Sequence, residues 1–356
     1  MSTLTPQAEL SELVDSVVKE NGSDIHLSEG RQPVLRVSSF LIPLVKKPMY
    51  SREDVEGILK IMLTPDNEKI LETKKEVDFA YTHNSKYRFR GNAYNHLGKL
   101  AVALRLIPQE TRSFAELNLP PVLEMFAEKK QGFFLVVGPT GQGKSTTLAT
   151  MIEMINTKRL ERIITIEDPI EYIFTPKKSI IDQREVRVDT PSFATALNGT
   201  FRQDVDVIMI GEMREPETIA TAVTAAETGH LVYSTLHTND AAQSVDRIID
   251  SFPPEQQNQI RLQLASSLVG ILSQRLVPRV SGGLIPVCEL LINTNAVANL
   301  IRENRTHEIP MMIETGMQEG MIDLNRSLVD LVRAGEITVE EAFSHSSNPK
   351  TLERML

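Results

Sequence analysis

The stretch Phe133-Phe134-Leu135-Val136-Val137-Gly138-Pro139-Thr140-Gly141-Gln142-Gly143-Lys144-Ser145-Thr146-Thr147 decides the fold. Its opening apolar run fits a buried strand. That run leads straight into Gly138-x-x-x-x-Gly143-Lys144-Ser145, and Leu148, Met151, Ile152 and Ile155 follow at helical spacing. A strand, a glycine-rich loop and a helix in that order make a P-loop. The glycines let the loop curl so that backbone N–H groups point inward at a di- or triphosphate, at the positive end of the helix dipole. Lys144 is placed to reach the β- and γ-phosphates, and the Ser145 hydroxyl to complete a Mg²⁺ shell. The sequence therefore implies a site for ATP with Mg²⁺, built from Gly138, Pro139, Thr140, Gly141, Gln142, Gly143, Lys144, Ser145 and Thr146.

Downstream, strand and helix patterns alternate, which implies an α/β domain with a parallel sheet covered on both faces. Arg162 to Ile166 reads as a strand ending in Glu167-Asp168-Pro169-Ile170-Glu171, and Val205 to Ile210 as another ending in Gly211-Glu212. Leu231 to Leu236 is a further strand, flanked by His230 and His237. Beyond Asp240 helices are expected over 240–251, 254–273, 295–303, 322–334 and 338–345, with a hairpin from Gln274 to Leu291. In an open parallel sheet ligands bind beyond the carboxyl ends of the strands. The P-loop, Glu167, Glu171, Glu212 and His237 all follow strand carboxyl ends and are expected at one rim. Val207 to Glu212 is a Walker-B-like run, whose acid can hold the Mg²⁺ shell or polarise the attacking water. Which of Glu167, Glu171 and Glu212 is the general base stays open at this point. The two histidines do separate. The seven residue steps from His230 to His237 span roughly 23 Å in a strand, so only one of the two can reach nucleotide, and the rim rule picks His237. His230 belongs to the far side, as a structural residue or at a subunit contact.

Upstream, residues 1–107 read as a smaller α+β domain with an antiparallel sheet. Leu10, Leu13, Val14, Val17 and Val18 make one face of a first helix, and Ser51 with Asp54 forms the capping box of a second. In Tyr87-Arg88-Phe89-Arg90 the alternation puts Arg88 and Arg90 on one sheet face, with Arg105 on the polar side of its own strand. By pattern alone those arginines are a solvated surface. The segment 108–121, with three prolines, is expected as the linker to an ATPase domain over 122–356.

At 356 residues there is room for two cores. A formal net charge of −9 argues against a nucleic-acid-wrapping surface, and Cys288, the single cysteine, cannot build a multi-cysteine zinc site. No apolar stretch is long enough to span a bilayer, and the start Met1-Ser2-Thr3 is not that of a signal peptide, so a cytoplasmic protein is expected.

These residues also carry a resemblance. Gly22-Ser23-Asp24-Ile25-His26-Leu27, the P-loop, Ile166 to Tyr172, Arg202 to Arg214 and Ala226 to Thr238 together resemble the PilT family of type IV pilus retraction ATPases, within the secretion ATPase superfamily. The resemblance implies a PAS-like N-terminal domain and a RecA-like P-loop ATPase domain, assembled as a homo-hexamer at the cytoplasmic, inner-membrane base of the pilus. Such a ring hydrolyses ATP to power pilus retraction and twitching motility, working on an inner-membrane platform protein and with a paralogous pilus ATPase as a further partner. It also implies that Arg88, Arg90 and Arg105 reach nucleotide. One motif departs: where the family reads Ala-Ile-Arg-Asn-Leu, this chain has Ala296-Val297-Ala298-Asn299-Leu300. A retraction motor and an accessory paralogue of the PilU kind both fit that departure. A RecA-type nucleic-acid translocase shares the P-loop, but the acidic balance and the lack of a Lys/Arg cluster weigh against it.

Overall fold

The computed structural model describes residues 4–37, 40–108 and 110–356, so the start Met1-Ser2-Thr3 lies outside the described residues. The chain divides into two compact units, Met1–Gln109 and Glu110–Leu356.

The first unit begins with α1 (Pro6–Lys19), which starts where Thr5 accepts a hydrogen bond from the Ala8 N–H and Pro6 takes the first helical position. Strands β1 (Gly22–Ser28), β2 (Val34–Val37) and β3 (Phe40–Pro43) follow, then α2 (Arg52–Met62) and α3 (Pro65–Lys74). Ser51 and Asp54 close the capping box of α2. Strands β4 (Glu76–His83), β5 (Tyr87–His96) and β6 (Lys99–Leu106) complete a six-stranded antiparallel sheet of order β3-β2-β1-β6-β5-β4. Leu10, Val14 and Ile58 of the helices pack on Ile25, Leu104 and Phe89 of one sheet face. The pleat sends the charged residues to the other face. There Arg90 lies opposite Arg105, Arg105 opposite Asp24, and Asp24 opposite Arg36, a row across four strands. Asp24 accepts from Arg105 Nε at 3.0 Å, and Arg88 reaches Thr82 Oγ1 at 3.5 Å.

The second unit opens with a short turn at Pro121–Leu123 and α4 (Glu124–Ala127), then β7 (Gly132–Val137) and α5 (Lys144–Lys158). Next come β8 (Arg162–Glu167), β9 (Ile180–Glu185), α6 (Phe193–Thr200), β10 (Val207–Ile210), α7 (Pro216–Glu227) and β11 (Leu231–Leu236). They are followed by α8 (Ala241–Asp250), α9 (Pro254–Ser267), β12 (Leu268–Pro278) and β13 (Leu284–Ile292). The chain ends in α10 (Asn295–Arg302), α11 (Ile309–Thr315), α12 (Leu324–Arg333), α13 (Val339–His345) and α14 (Pro349–Met355). The sheet is mixed, in the order β13-β12-β7-β11-β10-β8-β9, parallel except for the antiparallel pairing of β13 with β12. Strand β7 feeds both of its faces. Phe133, Leu135 and Val137 join Leu197, Val223, Ile248 and Leu264 of α6 to α9, whereas Phe134 and Val136 join Phe126, Met151 and Ile152 of α4 and α5.

Two expectations change. The helix expected over 254–273 stops at Ser267, and Leu268-Val269-Gly270-Ile271-Leu272 is strand. A short apolar run cannot be assigned by periodicity alone. Here Gly270 decides, since a Cβ on it would come within 2.7 Å of Phe126 and 2.9 Å of the Leu291 carbonyl. The stretch 108–121 is not a free linker either. From Glu110 it belongs to the second unit, with Phe114 and Leu119 buried beside Leu123 and Phe126. Its prolines fix the backbone without preventing the apolar residues between them from packing.

Candidate functional site at the carboxyl rim of the seven-stranded sheet

Every residue of β7 is buried, and the strand ends where Gly138 takes φ 145°. That glycine is required by proximity as well as by φ, because a Cβ there would lie 2.3 Å from the Gln274 carbonyl oxygen. Helix α5 then begins at Lys144, with Gly143 (φ 78°) as its N-cap and no side chain capping it. Its leading N–H groups are therefore left to the loop, the arrangement that suits a phosphate. Lys144, although charged, is buried, and its Nζ donates to the carbonyls of Gly138 at 2.7 Å and Pro139 at 2.8 Å. Burial draws its ammonium below the usual lysine range, and the negative charges of Glu171 and Glu212 pull it back up.

The strand ends bring the expected residues to this loop. His237, just past β11, holds its Nδ1 3.5 Å from Lys144 Nζ and 3.5 Å from Thr140 Oγ1. Its Nε2 lies 3.5 Å from Glu212, which follows β10 and also pairs with Arg214 at 2.9 Å. Lys144, His237 and Glu212 thus form one continuous chain of contacts across the rim. Thr146 Oγ1 lies 2.9 Å from the Tyr172 hydroxyl, so the segment after β8 touches the head of α5 as well. His230 sits at the opposite end of β11. Its Nδ1 lies 2.9 Å from the Ala225 carbonyl, and its ring stands edge-on to Phe201.

The three glutamates occupy different environments. Glu167, at the end of β8, is buried and accepts from Thr165 Oγ1 at 2.6 Å, Gln183 Nε2 at 3.3 Å and the Glu171 N–H at 3.4 Å. Burial pushes its carboxyl up to about 7, against those three donors. Glu171 is exposed. Glu212 is the half-buried carboxylate that faces the loop through His237. Ser145, exposed on the first turn of α5, and Glu212 offer the oxygen ligands that Mg²⁺ takes, so this donor set fits the ion. Arg88, Arg90 and Arg105 belong to the first unit, on the charged face described above.

Sequence reasoning missed several contributors. Gln142 is anchored: its Oε1 accepts from the Leu276 N–H at 2.5 Å. Gln274 donates to the Gln142 carbonyl at 2.7 Å and accepts from Thr147 Oγ1 at 2.7 Å. The partners lie more than a hundred residues apart in the chain, so no local pattern marks them. Arg214 and Tyr172 were inside the quoted motifs but carried no separate signal.

Comparisons with known proteins identify the family of the chain. Residues 5–318 match the family described as Type II/IV secretion system protein. The type IV pilus retraction ATPase PilT of Pseudomonas aeruginosa is 38% identical over 342 residues, 96% of this chain and 99% of its own length. A twitching motility protein of Neisseria gonorrhoeae is 43% identical over 321 residues, 90% of this chain and 86% of its own. Among solved structures, the crystal structure of the pilus retraction motor PilT with bound ADP superposes with a TM-score of 0.89 at 44% identity, covering 96% of this chain and 98% of that one.

Proposed function

The chain belongs to the PilT family of type IV pilus retraction ATPases within the Type II/IV secretion system proteins, and on that premise we propose that it is an ATP-hydrolysing motor that powers pilus retraction and twitching. The observation that carries the reading is the contact chain Lys144–His237–Glu212 at the head of an uncapped P-loop helix. Phosphoryl transfer asks mainly for positioning and charge neutralisation. In this reading the α5 N–H groups and Lys144 hold the phosphates, and His237 links the loop to the acid. Ser145 and Glu212 would hold Mg²⁺, which neutralises phosphate charge when bound. Glu212, open to the loop, is the better placed to orient the attacking water. Glu167, enclosed by three donors, shapes the turn before Glu171 instead.

The same reading takes the second unit as a RecA-like domain and the first as a PAS-like one, with six copies in a ring. Arg88, Arg90 and Arg105 then supply positive charge to a nucleotide. Among the described residues no helix is long and apolar enough to cross a membrane. In this reading attachment at the inner-membrane pilus base falls to a platform protein. One observation favours a second reading, the accessory PilU-like paralogue: Ala298, standing where the family has arginine, is buried on α10 at 6% exposure, with no charged group to offer.

Deleting the gene separates these readings. A retraction motor is expected to leave cells piliated but unable to twitch, and the wild-type chain should restore movement where Arg88→Ala/Arg90→Ala/Arg105→Ala does not. Loss of pili altogether, or unimpaired twitching, would overturn the proposal. Movement reduced only under load would favour the accessory paralogue.

A further inference from the structure

The P-loop rests on a buried side chain to which the proposed chemistry assigns no part. Gln274 is 2% exposed and sits on β12 one residue past Ser273, the partner of Val137, at the level where β7 ends and the loop begins. Its backbone carbonyl is the atom that a Cβ on Gly138 would strike, and its amide Nε2 would lie 2.9 Å from a Cβ on Gly143. Both polar ends of the side chain are engaged. Nε2 donates to the Gln142 carbonyl, and Oε1 accepts from Thr147 Oγ1, each at 2.7 Å. Two residues along the same strand, the Leu276 N–H holds the Gln142 side chain. Gln274 thus grips the loop on either side of Gly143-Lys144-Ser145, the stretch that offers N–H groups, the Lys144 ammonium and the Ser145 hydroxyl to nucleotide and Mg²⁺ in the reading above.

We propose that Gln274 is a positioning residue for nucleotide. It clamps Gln142 and Thr147 to β12, so that the phosphate-binding N–H groups are already arranged before a nucleoside di- or triphosphate arrives. The inference rests on the reading of Gly138 to Thr146 as a phosphate site and assigns that site a determinant outside its motif. Preorganisation raises affinity by cutting the ordering cost of binding. The clamp is made in ground and transition state alike, so its loss weakens binding more than turnover. A glutamine that served only to satisfy the core would lower melting temperature and leave the affinity of the folded protein unchanged.

The test uses the full-length protein, with Mg²⁺·ADP binding measured by calorimetry and ATP turnover measured as KM and kcat, at a temperature where every variant is folded. Gln274→Met keeps the volume and removes both hydrogen bonds. The dissociation constant for ADP and KM for ATP are expected to rise about tenfold, since two bonds of about 0.7 kcal/mol each are lost, with kcat within about threefold. Thr147→Val, of unchanged shape, removes only the Oε1 partner and is expected to give about a threefold rise. Combined with Gln274→Met it should add nothing further, because the bond is already gone. Gln142→Ser frees the loop from Leu276 and is expected to weaken ADP in the same direction. An ADP affinity within twofold of wild type in folded Gln274→Met overturns the clamp, as does a fall in kcat at unchanged KM. Should Gln274→Met not fold, Thr147→Val decides by the same criterion. Lys144→Ala in the same assays tells the two levels apart. If it binds ADP as wild type does, the phosphate-site reading fails. If it loses ADP while Gln274→Met keeps it, the clamp alone fails.

Discussion

Strand β11 carries a histidine just beyond each end, and their surroundings have little in common. His237 looks across to Lys144, Thr140 and Glu212, all polar and drawn from beyond the ends of two other strands, β7 and β10. His230 meets a helix-end carbonyl and the edge of a phenylalanine ring. The difference follows from direction rather than from residue type. Because β7, β8, β10 and β11 run parallel, their carboxyl ends open onto one rim, where loops can converge, while their amino ends receive chain returning from helices. Seven positions along the chain, from one end of the strand to the other, the same residue type changes its occupation entirely.

Three measurements press on that contrast. The largest effect is expected from Glu212→Gln, which keeps the shape of the rim but removes its loop-facing charge. ATP should still bind while turnover falls about a hundredfold, in the range lost with a general base. Turnover near wild type would move the working carboxylate of the rim to Glu171 or Glu167.

A smaller effect is expected from the histidines themselves. His237→Ala should lower turnover about tenfold, whereas His230→Ala should leave it within about twofold and lower the melting temperature instead. Equal losses of turnover in two folded variants would mean that strand direction does not sort the pair.

The smallest effect sharpens the contrast by asking whether rim position is enough. Glu289 on β13 pairs with Ser273, which pairs with Val137, so it too lies level with the rim. It faces away from the loop and accepts from the Ala241 N–H, the first of α8, at 3.0 Å. Burial pushes its carboxyl up to about 7 from an ordinary 4.5. With the folded-state value the higher, the unfolded chain sheds its proton first. Stability is therefore lost as pH rises from about 4.5 to 7 and stays lost above. Glu289→Gln keeps an acceptor for α8 and removes the titration. It should raise the melting temperature by a few degrees at pH 8, on the order of 2 kcal/mol, and by little near pH 4.5, with ATP turnover unchanged. An equal gain at both pH values would refute the assignment, and a loss of turnover would make Glu289 part of the site.

Much of the rim was legible because its logic is local and directional. A strand, its last residue and the polar residue just after it are contiguous, so Lys144, Glu167, Glu171, Glu212 and His237 could be named from the sequence and sent to one side. The shared face of Arg88 and Arg90 was likewise readable from the two-residue period of a strand, whereas Arg105 joins that face through the pairing of β6 with β5. What escaped was set by partners distant in the chain. The segment Leu268 to Leu272 is compatible with helix until Phe126 and the Leu291 carbonyl crowd Gly270. The role of Gln142 needs Gln274 and Leu276, more than a hundred residues on. Strand β3 (Phe40–Pro43) is short, at a sheet edge and exposed throughout, so burial leaves no alternation in it to read.

The hydrogen bond between Thr146 and Tyr172 has an optical consequence. The chain contains no tryptophan and six tyrosines, so its near-ultraviolet absorption and intrinsic emission are those of tyrosine. In the second unit there are two of them. Tyr233 is sealed in the core with its hydroxyl donating to the Phe126 carbonyl, and Tyr172 is bonded to the first turn of α5. The phosphate loop therefore carries a chromophore of its own. The difference between wild-type and Tyr172→Phe spectra reports the environment of that loop directly, without a dye, a label or a nucleotide analogue.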